Sequence, residues 1–347
     1  MRIIYLTPLR YPSKYTNRLQ VLKMAEAFSA RGDFALYIEQ LPASKDTLFQ
    51  DYAIAHAFSI ESVGSPKIWP RSFWLAWRYR ALIKRQPQGT VFYIRDVLLA
   101  FFLTYCSKRF REQFFFENHS LGKFPDFVYQ RVFGLARGIV TTNARKKEDI
   151  IKKFGIAADR ILVFGNGIDL GLFARLKSKT DARLALGMKT DKPNIVYTGT
   201  IAESYGSGVI KRMQELLRGE VYIHVITGLP GSVALDYITG ADIVLAPYLA
   251  ASDHFRYYMS PMKIKEYMAA GKTIIASDLP AIREILNEDA AYFAPAGDAE
   301  AFVALVRRAI ACPEEAVAKA YHARELAREF SWDRRADTIA LFIEQRL

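Results

Sequence analysis

Short apolar runs alternate with helical stretches along this chain, and the alternation starts afresh about halfway. In the first half "RIIYLTP" reads as a strand, "TNRLQVLKMAEAFSARGD" as a helix stopping at Gly32, and "FALYIEQ" as a second strand. "TVFYIR", "QFFFENH", "GIVTTN" and "ILVFGNGID" supply further strands, the last preceded by the helical "RKKEDIIKKFG". The second series is "NIVYTGTI", "VYIHVITG", "ADIVLAPY", "TIIASD" and "AAYFAP". Strands that alternate with helices form mainly parallel, doubly wound sheets. The chain is therefore predicted to be α/β, with two Rossmann-like domains facing a cleft, over residues 1–168 and 169–330, and a terminal helix over 331–347. The polar, weakly patterned stretch 167–192 is the expected linker, with Asn166 and Gly167 in the interdomain turn. Ligands in open α/β sheets bind beyond the carboxyl ends of the strands.

At 347 residues the chain is long for one core and comfortable for two. No run of 18 apolar residues occurs, and "MRIIYLTPLRYP" reads as a first strand rather than a leader, which points to the cytoplasm. Cys106 and Cys312 are too few for a disulfide framework or zinc site and are expected in the core. The net charge of +12 divides unevenly. Residues 1–170 carry 26 Lys and Arg against 14 Asp and Glu, whereas residues 171–347 balance at 22 each. A polyanionic partner for the first half is implied: anionic lipid, nucleic acid or an anionic acceptor. Within that half, "KIWPRSFWLAWRYRALIKRQPQG" interleaves Trp69, Phe73, Trp74 and Trp77 with Arg71, Arg78, Arg80, Lys84 and Arg85. Such a stretch fits a helix lying in a membrane interface, and equally a core-facing helix with a solvated basic face.

"SPMKIKEYMAAGKTIIASDLPAIREIL", residues 260–286, carries the most chemistry. Ser260 is a good N-cap, Pro261 suits the first helical position and Gly271 a helix stop, which predicts a helix over 261–270. Free first-turn N–H groups and the macrodipole attract an anion there, and Lys263 adds a full charge. Met262, Lys263 and Glu266 share one face, with the carboxylate a turn deeper. A carboxylate accepts two hydrogen bonds and suits vicinal hydroxyls. The layout fits the diphosphate and ribose of a nucleotide sugar; an ordinary capped helix with a surface ion pair is the plainer alternative.

With these motifs in order, the chain resembles the family-four retaining glycosyltransferases of the GT-B fold over nearly its whole length. Residues 260–286 look like that family's donor-site helix and following strand. "FENHSLGK", "VTTNARKKEDIIKKFGI" before "VFGNGID", "VYTGTI", "YITGADIVLAPY" and "YFAPAGDAEAFVALV" support the match. "FSWDRRADTI" is similar to the helix with which such proteins cross back onto the N-terminal domain. The resemblance implies an N-terminal acceptor domain and a C-terminal donor domain. It further implies transfer from a nucleotide-sugar co-substrate with retention, no cofactor and no obligatory metal. In agreement, no Asp-x-Asp pair is present to chelate a diphosphate-bound cation. Glu266 would hold the ribose, with Gly199, Thr200, Ser260, Met262 and Lys263 around the donor. His119 would meet the donor sugar or the reacting oxygens, although a hydrogen-bonded loop histidine fits its position too.

The departures bear on activity. The family's glycine, basic residue and lysine that clamp diphosphate are replaced by "GTIAESYG", with Thr200 and Tyr205 where the cations are expected. Tyr258 stands where a first glutamate is usual. After "VITG" the second half is short by about one strand-helix unit. On the acceptor side, Asn17 could approach a ligand or simply cap a helix; Arg95 could rim the site or pair with Asp96; Glu117 is better suited to supporting its loop than to acting as a base. The leading expectation is a glycosyltransferase acting on a lipid-linked or polysaccharide acceptor at the inner membrane face. A binding or scaffold protein of the same descent is the alternative. No nucleic-acid recognition motif is present, and no nucleic-acid partner is expected.

Overall fold

The structure is a computed structural model that describes residues 1–12, 16–42, 44–64 and 71–347. Lys67 and Trp69, part of the aromatic and basic stretch, lie outside the described residues. The chain forms two compact units, one of Met1–Gly167 with Trp332–Leu347, the other of Ile168–Ser331.

The first unit is built on a seven-stranded sheet. Its strands are β1 (Ile3–Leu6), β2 (Phe34–Ile38), β3 (Ile60–Ser62), β4 (Val91–Ile94), β5 (Phe114–Asn118), β6 (Gly138–Thr141) and β7 (Ile161–Val163). They run in the order β3-β2-β1-β4-β5-β6-β7 with every pairing parallel. Strands covered on both faces by helices read as continuous apolar runs, and β1, β2, β4, β5 and β6 are buried throughout. The order reverses between β1 and β4, which opens a crevice at their carboxyl ends.

The terminal helix Trp332–Glu344 belongs to this first unit. It buries Trp332, Arg335, Ala336, Ile339, Phe342 and Ile343, a stripe at helical spacing. Two glycines let it close on the sheet. A Cβ at Gly167 would lie 2.4 Å from the Trp332 ring, and one at Gly138 would lie 2.5 Å from the Phe342 ring. Arg31, following the helix Thr16–Ser29, fastens the other side through Asp337 at 2.5 Å.

The second unit has five strands: β8 (Asn194–Thr198), β9 (Tyr222–Ile226), β10 (Ile243–Ala246), β11 (Thr273–Ser277) and β12 (Tyr292–Ala294). Their order is β12-β11-β10-β8-β9, with the reversal between β8 and β10. β9 stands at the sheet edge, and the helix Gly231–Gly240 leads straight from it to β10. Among the described residues no further strand pairs with the outer side of β9.

Two expectations change. The stretch 168–192 is folded into the second unit, with the helices Leu170–Ala174 and Lys179–Leu186 capped by Asp169 and Ser178. It reads as a linker because its helices are short and expose most of their surface; Ala182 is the one buried residue of the second helix. Lys179 and Arg183 fix that helix to Asp242 at 2.5 and 2.6 Å. Cys106 is only half-buried and Cys312 is exposed, because Pro313 starts a new helix and turns Cys312 into a surface junction. Among the described residues no helix is long and apolar enough to cross a membrane.

Candidate functional site

In the second unit the predicted donor residues gather at the β8/β10 reversal. The helix Met262–Ala269 starts one residue later than expected: Pro261 occupies its cap position and makes no side-chain cap bond. Ser260 is not the N-cap; its hydroxyl accepts a hydrogen bond from Lys265 at 3.5 Å. Gly271, at φ 61°, ends the helix as predicted. The Tyr267 hydroxyl meets the Thr198 backbone N–H at 3.0 Å and ties this helix to the end of β8.

Lys263 points across that end. Its ammonium nitrogen is buried and has no hydrogen-bond partner among the described residues. It sits 3.7 Å from the Tyr197 ring centroid, 5.2 Å from that of Tyr248 and 5.8 Å from that of Tyr205. Gly199, at φ 119°, makes room: a Cβ there would come within 3.1 Å of Lys263 Cε and 3.2 Å of Nζ. Burial pushes the Lys263 ammonium down to about 7, against the opposing pull of Glu266. Burial likewise raises the Glu266 carboxyl, and Lys263 restrains it. A cation and a carboxylate, both poorly solvated, therefore wait beside a glycine at a switch point. Thr200 is exposed, and its carbonyl accepts from the Tyr197 hydroxyl at 2.5 Å. Met262 is half-buried at the first helical residue. Gly206 holds φ 84°, where a Cβ would collide with the Pro247 carbonyl oxygen at 1.9 Å. That approach keeps Tyr205 against Tyr248, with ring centroids 5.6 Å apart.

In the first unit His119 lies just past β5. Its Nε2 bonds Glu117 Oε1 in a very short contact. Glu117 also accepts from Tyr93 at 2.7 Å and from Arg335 at 2.9 Å. Burial alone would raise the Glu117 carboxyl, but Arg335, His119 and Arg95 outweigh it and hold it well below the usual carboxylate range. His119 is held down to about 4, first by burial and then by the Arg95 cation, despite Glu117. A neutral imidazole donating from Nε2 to an ionised Glu117 leaves Nδ1 as an acceptor. Glu117, placed on the acceptor side and expected to support its loop rather than act as a base, is buried and bonds His119. Asn17 is exposed in the first turn of the helix Thr16–Ser29 and accepts from Arg18 at 2.9 Å; residues 13–15, which lead into it, are outside the described set. Arg95 is half-buried at the end of β4. Asp96 does not pair with it: the Asp96 carboxylate caps the helix Val97–Cys106 by accepting from Leu99 N–H at 2.8 Å.

Sequence reasoning missed Arg335, Tyr93 and two of the three tyrosines around Lys263, Tyr197 and Tyr248, and took the third, Tyr205, only as a departure from a cation. A signal for Arg335 was present: it is the lone charge on the apolar stripe of an amphipathic helix, which calls for a buried partner.

The two parallel sheets and their switch points define a GT-B architecture. Residues 19–172 match the family model described as Glycosyltransferase Family 4, and residues 192–312 match that described as Glycosyl transferases group 1. The chain belongs to the family-four glycosyltransferases of the GT-B fold. Among solved structures, a glycosyltransferase from Rickettsia africae is 14% identical with a TM-score of 0.74, over 99% of this chain and 98% of that one. Anabaena Alr3699/HepE, solved in complex with UDP, is also 14% identical, with a TM-score of 0.73 over 99% of this chain and 100% of that one. A D-inositol 3-phosphate glycosyltransferase from Xylanimonas cellulosilytica is 28% identical over 107 residues. That match spans 29% of this chain and about a quarter of the relative's length, 26%.

Proposed function

We propose that this chain is a retaining, metal-independent hexosyltransferase that takes a sugar from a nucleotide-sugar donor. It passes the sugar to a lipid-linked or polysaccharide acceptor at the cytoplasmic face of the membrane. The observation that carries the reading is the buried, unpartnered Lys263 ammonium against Gly199, one helical turn from Glu266. A diphosphate at the β8/β10 reversal meets Lys263 and the exposed backbone around Thr200, and its charge restores the proton that burial removes. Glu266 accepts from the ribose hydroxyls. In the other unit, His119 offers Nδ1 to a sugar hydroxyl while Glu117, Tyr93 and Arg335 fix its ring.

In the reaction the bond between the anomeric carbon and the phosphate oxygen breaks, and the diphosphate leaves with the electron pair. An acceptor hydroxyl oxygen bonds to that carbon on the same face, and its proton passes to the departing phosphate. The protein's part is electrostatic stabilisation of the leaving group; no side chain is assigned as nucleophile. Support comes from Anabaena Alr3699/HepE, whose structures hold UDP or UDP-glucose. Thr200 and Tyr205 in place of cations, together with the five-stranded sheet, favour a second reading: a catalytically weakened relative that binds rather than transfers. Incubation with radiolabelled nucleotide sugars and membrane or polysaccharide extracts separates the two. Label transfer with retained anomeric configuration supports the enzyme, and nucleotide binding without transfer supports the binding protein.

A further inference from the structure

Five of the six large exposed aromatic residues among those described lie on one face of the first unit. Phe73, Trp74 and Trp77 stand on the helix Arg71–Arg85, Tyr105 on Val97–Cys106 and Phe127 on Asp126–Leu135. They are not scattered. Trp74 meets Phe73, Phe73 meets Phe102, Phe102 meets Phe101, and Phe101 meets both Tyr105 and Phe127, with ring centroids 5.2 to 5.9 Å apart. A groove of about 380 Å³ runs between the first two helices, lined by Phe73, Trp77, Phe101, Phe102 and Tyr105. Trp77 and Tyr105 remain 54% and 61% exposed, although a folded chain ordinarily covers rings of that size. The same Arg71–Arg85 helix buries Leu75, Ala76, Tyr79 and Ile83 on its other side, so the outward aromatics are surplus to its packing.

Charge identifies what covers this face. From Val63 to Arg111 the chain holds ten Lys and Arg residues and a single acid, Asp96, whose carboxylate is consumed as a helix cap. Arg78, Arg80, Lys84 and Arg85 are exposed on the aromatic helix. The Arg80 guanidinium lies 5.0 Å from the Trp77 ring and that of Arg131 lies 3.6 Å from the Tyr105 ring. Exposed indoles and phenols interleaved with cations, with the acid beside Phe127, Asp126, paired to Lys153 at 2.6 Å, match the apolar-to-anionic boundary of a bilayer. A protein partner of matching chemistry would need an acidic surface around an apolar centre; a bilayer containing anionic lipid supplies both along one plane.

We infer that the aromatic face formed by Arg71–Arg85, Val97–Cys106 and Asp126–Leu135 seats the first unit on an anionic membrane surface, with Trp74, Trp77, Tyr105 and Phe127 entering the headgroup layer. The inference deepens the membrane-face part of the proposed function and rests on it for its meaning, but the binding itself requires neither donor nor turnover.

The test is co-sedimentation of the full chain with phosphatidylcholine vesicles containing either no or 30 mol% phosphatidylglycerol. Three proteins are compared: wild type, the double variant Trp74→Ser/Trp77→Ser, and the charge variant Arg80→Gln/Lys84→Gln/Arg85→Gln. Wild type is expected to bind the anionic vesicles and not the neutral ones. Each variant is expected to lose about tenfold or more in partition, through lost apolar burial or lost charge. Thermal melts and nucleotide binding by the second unit, unchanged in both variants, show that the losses are local. Failure of wild type to bind anionic vesicles overturns the inference, as does tryptophan-variant binding equal to wild type. A wild-type dimer dispersed by the tryptophan substitutions without vesicles overturns it in favour of a second copy of the chain. Preferential, salt-sensitive retention on duplex DNA overturns it in favour of nucleic acid. Vesicle binding without nucleotide binding by wild type would sink the donor-site reading and leave this inference standing.

Discussion

Lys263 holds its ammonium 3.7 Å from the centre of the Tyr197 ring and donates to no oxygen among the described residues. An aromatic face offsets part of the cost of burying a cation, but it is a poorer host than a phosphate. The free protein thus keeps a basic group whose point of discharge burial has brought down to about 7, far below that of an ordinary lysine, beside a backbone that only glycine permits.

Nucleotide binding is consequently expected to take up a proton. At pH 8.5 the free amine is largely neutral and the diphosphate-bound form charged, so the calorimetric heat will vary with the buffer's ionisation enthalpy. Affinity will fall with rising pH by up to about tenfold per unit above 7. Heat independent of buffer would show that Lys263 does not change charge.

The substitution Lys263→Met is expected to stabilise the free protein by roughly 1 kcal/mol while weakening nucleotide binding. Its folded value lies below the unfolded one, so the penalty is complete below pH 7 and is relieved as pH climbs toward 10.5. Thermal melts at pH 6 and pH 9.5 check this: the variant's advantage should be the larger at pH 6. A variant less stable than wild type at both would count against a strained lysine.

His119 gives an acid-side signature. The folded imidazole stays neutral down to about 4, whereas the unfolded one protonates near 6.5. Between those values the unfolded chain binds more protons, and the first unit should lose on the order of 3 kcal/mol as pH falls through that window. His119→Asn should flatten this part of the stability curve. Glu117, depressed on folding, adds its own loss only at lower pH.

Arg335→Met removes the buried guanidinium that lies 2.9 Å from Glu117. The stranded carboxylate is expected to cost about 3–5 kcal/mol, and the His119 value should move up once a neighbouring cation is gone. Ring-proton titration by NMR reads the second effect, which a general loosening of the terminal helix would not produce in isolation.

Much of this was legible in the sequence because apolar strands at regular spacing dictate a parallel sheet whatever else the chain does. The strand series, the Gly271 stop and the terminal helix follow from local rules. Ser260 misled because a serine before proline has the composition of a cap, while the cap geometry depends on the backbone path through Pro261. The lysine's tyrosine surroundings come from Tyr197 within β8, Tyr205 in the turn that follows it and Tyr248 after β10, which meet only in the fold. Arg335 and Glu117 are 218 residues apart, and no local pattern links them.

The most direct test of the donor site is a calorimetric titration of UDP, GDP and ADP and their sugars into wild type and Glu266→Ala. Saturable binding of one nucleotide, weakened about tenfold or more when Glu266 can no longer accept from the ribose, is the predicted result. A folded wild-type protein that binds none of them at millimolar concentration would contradict the account.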